Sequence, residues 1–106
     1  MFKKKTMSEF HAKAFWKWFK RNEIWIITKY NTSRNAVLWA IEEKLAPVFP
    51  YLKGEITFDL AFQPEMGEFI ISTSDNEKLM KDAEILKSIM PAELCDHWEF
   101  TILGPD

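Results

Sequence analysis

The sequence predicts an α+β fold: a two-layer sandwich in the order α-α-β-β-α-β, with a three-stranded, mainly antiparallel sheet and helices packed on one face. Three observations predict it. Ile56, Phe58, Leu60 and Phe62 alternate with Glu55, Thr57, Asp59 and Ala61, the period of a half-buried strand. Residues 15–29 and 35–46 instead repeat apolar side chains every three or four positions, the spacing of one helical face. Ser74 and Glu77 have capping-box spacing, in which each side chain accepts a backbone donor at the other position, and so open a further helix. Strands with one greasy and one wet face belong to a sheet covered on one side only.

The first helix is expected from Ser8, a good capping residue, with Glu9 in the first turn where the helix dipole favours an acid. Within it, Phe15-Trp16-Lys17-Trp18-Phe19 sets four rings in five residues. A ring buries about 150–250 Å², worth on the order of 4–6 kcal/mol as an upper bound, so this knot reads as core. Phe15, Trp18, Phe19, Asn22, Trp25, Ile26 and Lys29 share a face that Phe10 and Ala14 extend backward; Trp16 and Ile27 lie off it. Residues 24–28 are β-branched enough to form a strand. Helix through about Lys29 is preferred, because Asn22-Glu23 is no turn signal.

Asn31-Thr32-Ser33 separates this helix from a second over residues 35–46, striped by Val37, Leu38, Ile41, Leu45 and Val48, with Trp39 turned aside. Pro47 and Pro50 end it. A strand opens at Gly54 and a hairpin loop spans residues 63–67. A return strand then points Phe69 and Ile71 inward and Glu68, Ile70 and Ser72 outward. The third helix buries Leu79, Ala83, Leu86 and Met90 and stops at Pro91. A last strand over residues 97–103 turns Trp98, Phe100 and Ile102 inward. A right-handed crossover through the third helix is expected to bring this strand beside the first, giving the order third, first, second.

A chain of 106 residues is one domain, expected over residues 8–106 after a flexible basic segment at 1–7. The net charge of −2 hides an asymmetry. Residues 1–34 hold nine Lys or Arg and two acids, a net of +7, and the remainder holds five and fourteen, a net of −9. A basic helix beside an acidic body explains this, and so does a basic surface for an acidic partner. Cys95 is the one cysteine, so no internal disulfide forms and a reducing, cytoplasmic setting is expected. Lys13, Lys17 and Lys20 interrupt any apolar run after the basic start, which argues against a secretory signal. No stretch has the roughly 18 apolar residues of a membrane span, so no membrane partner is expected.

The search for chemistry is largely negative: no Gly-rich phosphate loop, no zinc-ligand spacing, and hence no expected catalytic residue, metal or cofactor. Cys95-Asp96-His97 has the residue types of a nucleophilic site, but sequence neighbours point apart, and Cys95 reads as a small buried residue in a loop. His11 and His97 read as surface residues. Lys13, Lys17, Lys20 and Arg21 interleave with Trp16 and Trp18 as in a nucleic-acid surface. The rings fall at core spacing and the chain is acidic, so nucleic acid is the weaker expectation. Glu55, Asp59, Glu68 and Glu99 share the wet sheet face, as a solvated acidic surface or a cation site. Ile70 and Leu103 on that face point toward docking or dimerisation. The expected interaction surface is Glu55, Thr57, Asp59, Ile70, Ser72, Thr101 and Leu103. Asn22 and Glu23 are a candidate polar anchor, with Asn22 either bonding nearby backbone or facing a groove between the first helix and the sheet.

The run Phe15-Trp16-Lys17-Trp18-Phe19 with Asn22-Glu23 resembles the opening of a family of small uncharacterised bacterial proteins, whose first helix carries Phe-Trp-x-Trp-Phe-x-x-Asn-Glu. Residues 69–75 are similar to that family's Ile-Ser-Ala-Asp-Gly turn, with Asn76 here in place of the glycine, and Trp98 and Phe100 resemble its closing strand. The resemblance implies a bacterial cytosolic domain and supplies no catalytic residue. The expected function is thus a small protein-interaction or self-associating module, binding a protein partner or a second copy through the outer sheet face. The alternative is a ligand-binding domain or enzyme with a pocket near Asn22, Glu23, Ser72, Asp75 and His97.

Overall fold

The computed structural model of the chain describes residues 7–104 and has the expected α+β class, with five helices and one three-stranded sheet among those residues. Its elements fall into two units, one up to Glu55 and one from Ile56. The expected flexible segment, residues 1–7, lies outside the described residues except for Met7, which is buried rather than loose.

In the first unit, α1 (Glu9–Arg21) starts as the sequence implies, with the Ser8 hydroxyl accepting the His11 N–H at 3.2 Å. The Ser8 N–H donates to the Val48 carbonyl at 2.8 Å and ties the helix start to the 3-10 turn Ala46–Val48. The helix ends earlier than expected. Asn22 leaves helical geometry at φ −109° and ψ 16°, and α2 (Glu23–Tyr30) follows at once. Neither Gly nor Pro makes this joint. The Asn22 side-chain amide donates to the Trp18 carbonyl at 2.9 Å, and the Asn22 backbone N–H reaches the same oxygen at 3.0 Å. A short polar side chain that bonds its own helix backbone in this way bends the helix. Residues 24–28 are helix, not strand.

Phe15, Trp16 and Phe19 are buried and pack edge to face, Phe15 to Trp16 at 5.0 Å between ring centroids and Trp16 to Phe19 at 5.7 Å. Trp16, not Trp18, is the core indole; Trp18 is half-buried, and Phe10 and Ala14 are exposed. The buried arc of α1 is Ala12, Phe15, Trp16 and Phe19, also an i, i+3, i+4, i+7 set. The expected face held Trp18 and left Trp16 off it; with rings on both sides of Phe15 and Phe19, both arcs have helical spacing and the other one is buried. In α3 (Arg34–Leu45), Val37, Ile41 and Leu45 are buried with Val48, Leu38 is half-buried, and Trp39 is turned to solvent as expected. Two 3-10 turns, Ala46–Val48 and Pro50–Leu52, take up Pro47 and Pro50.

In the second unit, β1 (Thr57–Gln63) and β2 (Met66–Ser72) form an antiparallel hairpin. Its loop is only Pro64-Glu65, shorter than expected, since Gln63 already pairs with Met66. Glu65 sits at φ 68°, as the third residue of a type II turn must, after a proline whose ring suits the second. The third helix of the sequence is α4 (Glu77–Ser88), and its cap differs from expectation. Asn76 is the N-cap, its side-chain oxygen accepting the Leu79 N–H at 2.9 Å. Ser74 lies at φ 51° in the preceding turn, where the Asn76 N–H bonds the Thr73 carbonyl at 2.9 Å. The turn carries Ser74 away from the helix start, so the Ser74–Glu77 box does not form. Leu79, Ala83 and Leu86 are buried, Met90 half-buried. A short helix, α5 (Ala92–Cys95), occupies what reads as loop, and Cys95 is exposed rather than buried.

The last strand, β3 (Trp98–Leu103), corrects the expected topology. It lies beside β2, parallel to it, and the order is β1-β2-β3. The sheet is mixed, one antiparallel and one parallel pair. The parallel pair, joined through α4, is a β-α-β unit. Gly67 pairs with Trp98, and a side chain on Gly67 would come within 2.7 Å of the indole carbons. The glycine is the gap into which the indole fits.

A candidate docking face on the outer side of the sheet

Cross-strand register sorts every strand residue onto one face or the other. Leu60, Phe69 and Phe100 form a row on the inner face, Phe69 meeting Phe100 at 5.2 Å and 89° between ring planes. The outer face carries two rows of predicted residues. Thr57, Ser72 and Leu103 stand side by side, and Asp59, Ile70 and Thr101 stand in the next row. Six of the seven residues expected to make the interaction surface are thus brought together. Glu55 is not: it precedes β1, exposed, its N–H closing a turn onto the Leu52 carbonyl at 2.9 Å.

A third outer row is Ala61, Glu68 and Glu99. The two carboxylates face each other across the parallel pair, an arrangement that costs energy when left unrelieved. Thr101 relieves it on one side, its hydroxyl donating to Glu68 Oε2 at 2.5 Å. Charge and grease share this face: Leu103 is 49% exposed, Met66 37%, and Ile70 is half-buried. Asp59, Glu68 and Glu99 are its charged residues, and no Lys or Arg of the strands joins them. Asp59 also accepts the N–H of Leu60 at 2.8 Å. Among the described residues, no group of three or more His, Cys, Asp or Glu is placed to hold a metal ion.

The candidate polar anchor resolves into a local role at Asn22, which is half-buried and spends its amide on the Trp18 carbonyl. Glu23 is half-buried in the first turn of α2. An open groove of about 530 Å³ runs along β3, lined by Lys87, Met90 and Cys95 together with residues 98–102. Asn22, Glu23, Ser72, Asp75 and His97 do not line it. The sequence reading missed this groove because α5, four residues long, has no periodicity to announce it.

The sequence reading also missed exposed apolar side chains in the first unit. Ile24 is 76% exposed and Phe10 75%, and Ile27 and Trp25 are partly exposed, in addition to the expected Trp39 at 75%. No helix among the described residues is long and apolar enough to cross a membrane. No family model, curated protein or solved structure matches this chain.

Proposed function

We propose that this chain is a non-catalytic interaction module that docks a protein partner or a second copy through the outer face of its sheet. The observation that carries the reading is the pairing register, which gathers Thr57, Asp59, Ile70, Ser72, Thr101 and Leu103 into adjoining rows. Solvent-facing apolar groups with carboxylates around them have the make-up of an interface with a polar rim. The family resemblance fits a bacterial protein of this kind, and the lone, exposed Cys95 fits a cytoplasmic one. Ile70→Lys tests the reading. The substituted chain should keep its circular dichroism spectrum and unfolding midpoint and lose association measured by light scattering. Association that survives the substitution sinks the proposal.

The groove along β3 favours a second reading, a small-molecule site, because its volume is in the range of ligand clefts and Lys87, Glu99 and Thr101 supply polar groups. Trp98 in its wall is a built-in reporter. A metabolite library that leaves both indole fluorescence and unfolding temperature unmoved removes that reading.

A further inference from the structure

The outer sheet face has a complement on the same chain. The solvent side of α1 carries Lys13, Lys17, Lys20 and Arg21, all exposed, and Glu9 is the helix's one acid. Ile24 and Ile27 continue the spacing of Lys13, Lys17 and Lys20 at i, i+4, i+7, i+11 and i+14, the repeat of a single helical face. Hydrogen bonds of helical spacing run into and out of the joint at Asn22, since the Asn22 N–H bonds the Trp18 carbonyl and the Ile26 N–H bonds the Asn22 carbonyl at 2.9 Å. Like charges four residues apart, Lys13 with Lys17 and Lys17 with Arg21, weaken a helix by about 0.2–0.5 kcal/mol per pair, while Lys20 and Arg21 in the last turn favour the helix dipole.

We infer that the partner of the outer sheet face is the α1–α2 face of a second copy of the chain; this rests on the docking reading above. Charge matches charge, four cations against Asp59, Glu68 and Glu99, and apolar matches apolar, Ile24 and Ile27 against Ile70 and Leu103. Dimensions match too. The thirteen residues of α1 span about 20 Å at 1.5 Å each, and the seven of β1 span about 23 Å. One helix laid on three strands buries less than the roughly 800 Å² per partner of a standard interface, so the association is weak and held by charge. The contact is heterologous, with different patches on the two copies.

Sedimentation velocity on the intact chain tests this. The wild type should associate at about 100 µM in low salt and dissociate in about 1 M salt, where the screening length falls to about 3 Å. Lys13→Glu with Lys17→Glu should weaken association by at least about tenfold, as should Glu68→Lys with Glu99→Lys, and mixing the two double variants should restore it. A wild type that stays monomeric, or a mixture that stays monomeric, overturns the inference. Ile70→Lys separates the two failures. If it abolishes wild-type association while the mixture stays monomeric, the sheet face is a docking face with another occupant. If Ile70→Lys leaves association intact, the docking reading itself fails.

Discussion

Trp16 and Trp39 are a matched pair of indoles, 2% and 75% exposed. Truncating the first removes core contacts and leaves a cavity, while truncating the second removes little that the folded state uses. Trp16→Ala should lower unfolding free energy by about 3–5 kcal/mol in urea titrations, and Trp39→Ala by less than about 0.5 kcal/mol. Equal effects would show that the ring knot is not the core of the first unit. Gly67 offers the converse test, since an added methyl meets the Trp98 ring at 2.7 Å. Gly67→Ala should cost about 1–3 kcal/mol through overpacking and perturb the near-ultraviolet dichroism of the indole. That Phe15 and Phe19 are buried follows from their spacing. Which neighbouring indole joins them does not, because Trp16 and Trp18 flank the same arc and the decision falls to what packs against it.

Helix ends and turns are set by single side chains. Asn76→Ala should destabilise the chain by about 1 kcal/mol through loss of the cap on the Leu79 N–H, and Ser74→Gly should stabilise it by up to about 1 kcal/mol by relieving φ 51°. A capping box at Ser74 would reverse the order of the two, so thermal melts of both variants decide between them. The motif of Ser74 and Glu77 was legible, but a neighbour with a better-placed amide took the role. The early end of α1 was hidden for a related reason: Asn22 acts through one bond to Trp18, which no local pattern announces. By contrast the strand faces were readable residue by residue. Glu68, Ile70 and Ser72 alternate with Phe69 and Ile71, and the burial of β2 follows that alternation.

The second unit is organised about β2, which pairs with β1 on one side and β3 on the other. A central strand opens only when both neighbours are lost. Amide hydrogen exchange should therefore be slowest at the β2 amides and faster in β1 and β3, and a β1 slower than β2 would contradict the strand order. The candidate docking face belongs to this scale as well, because its residues come from three strands and lie as far apart in the chain as Thr57 and Leu103.

Alternation, helical spacing and charge need only neighbours in sequence, so the class, most of the elements, the inward side of each strand and six of the surface residues could be read directly. Strand order could not. A last strand running parallel to β2 shows the same alternation whether it lies beside β1 or beside β2. Only the packed unit decides, where the indole of Trp98 meets the one strand position without a side chain, Gly67.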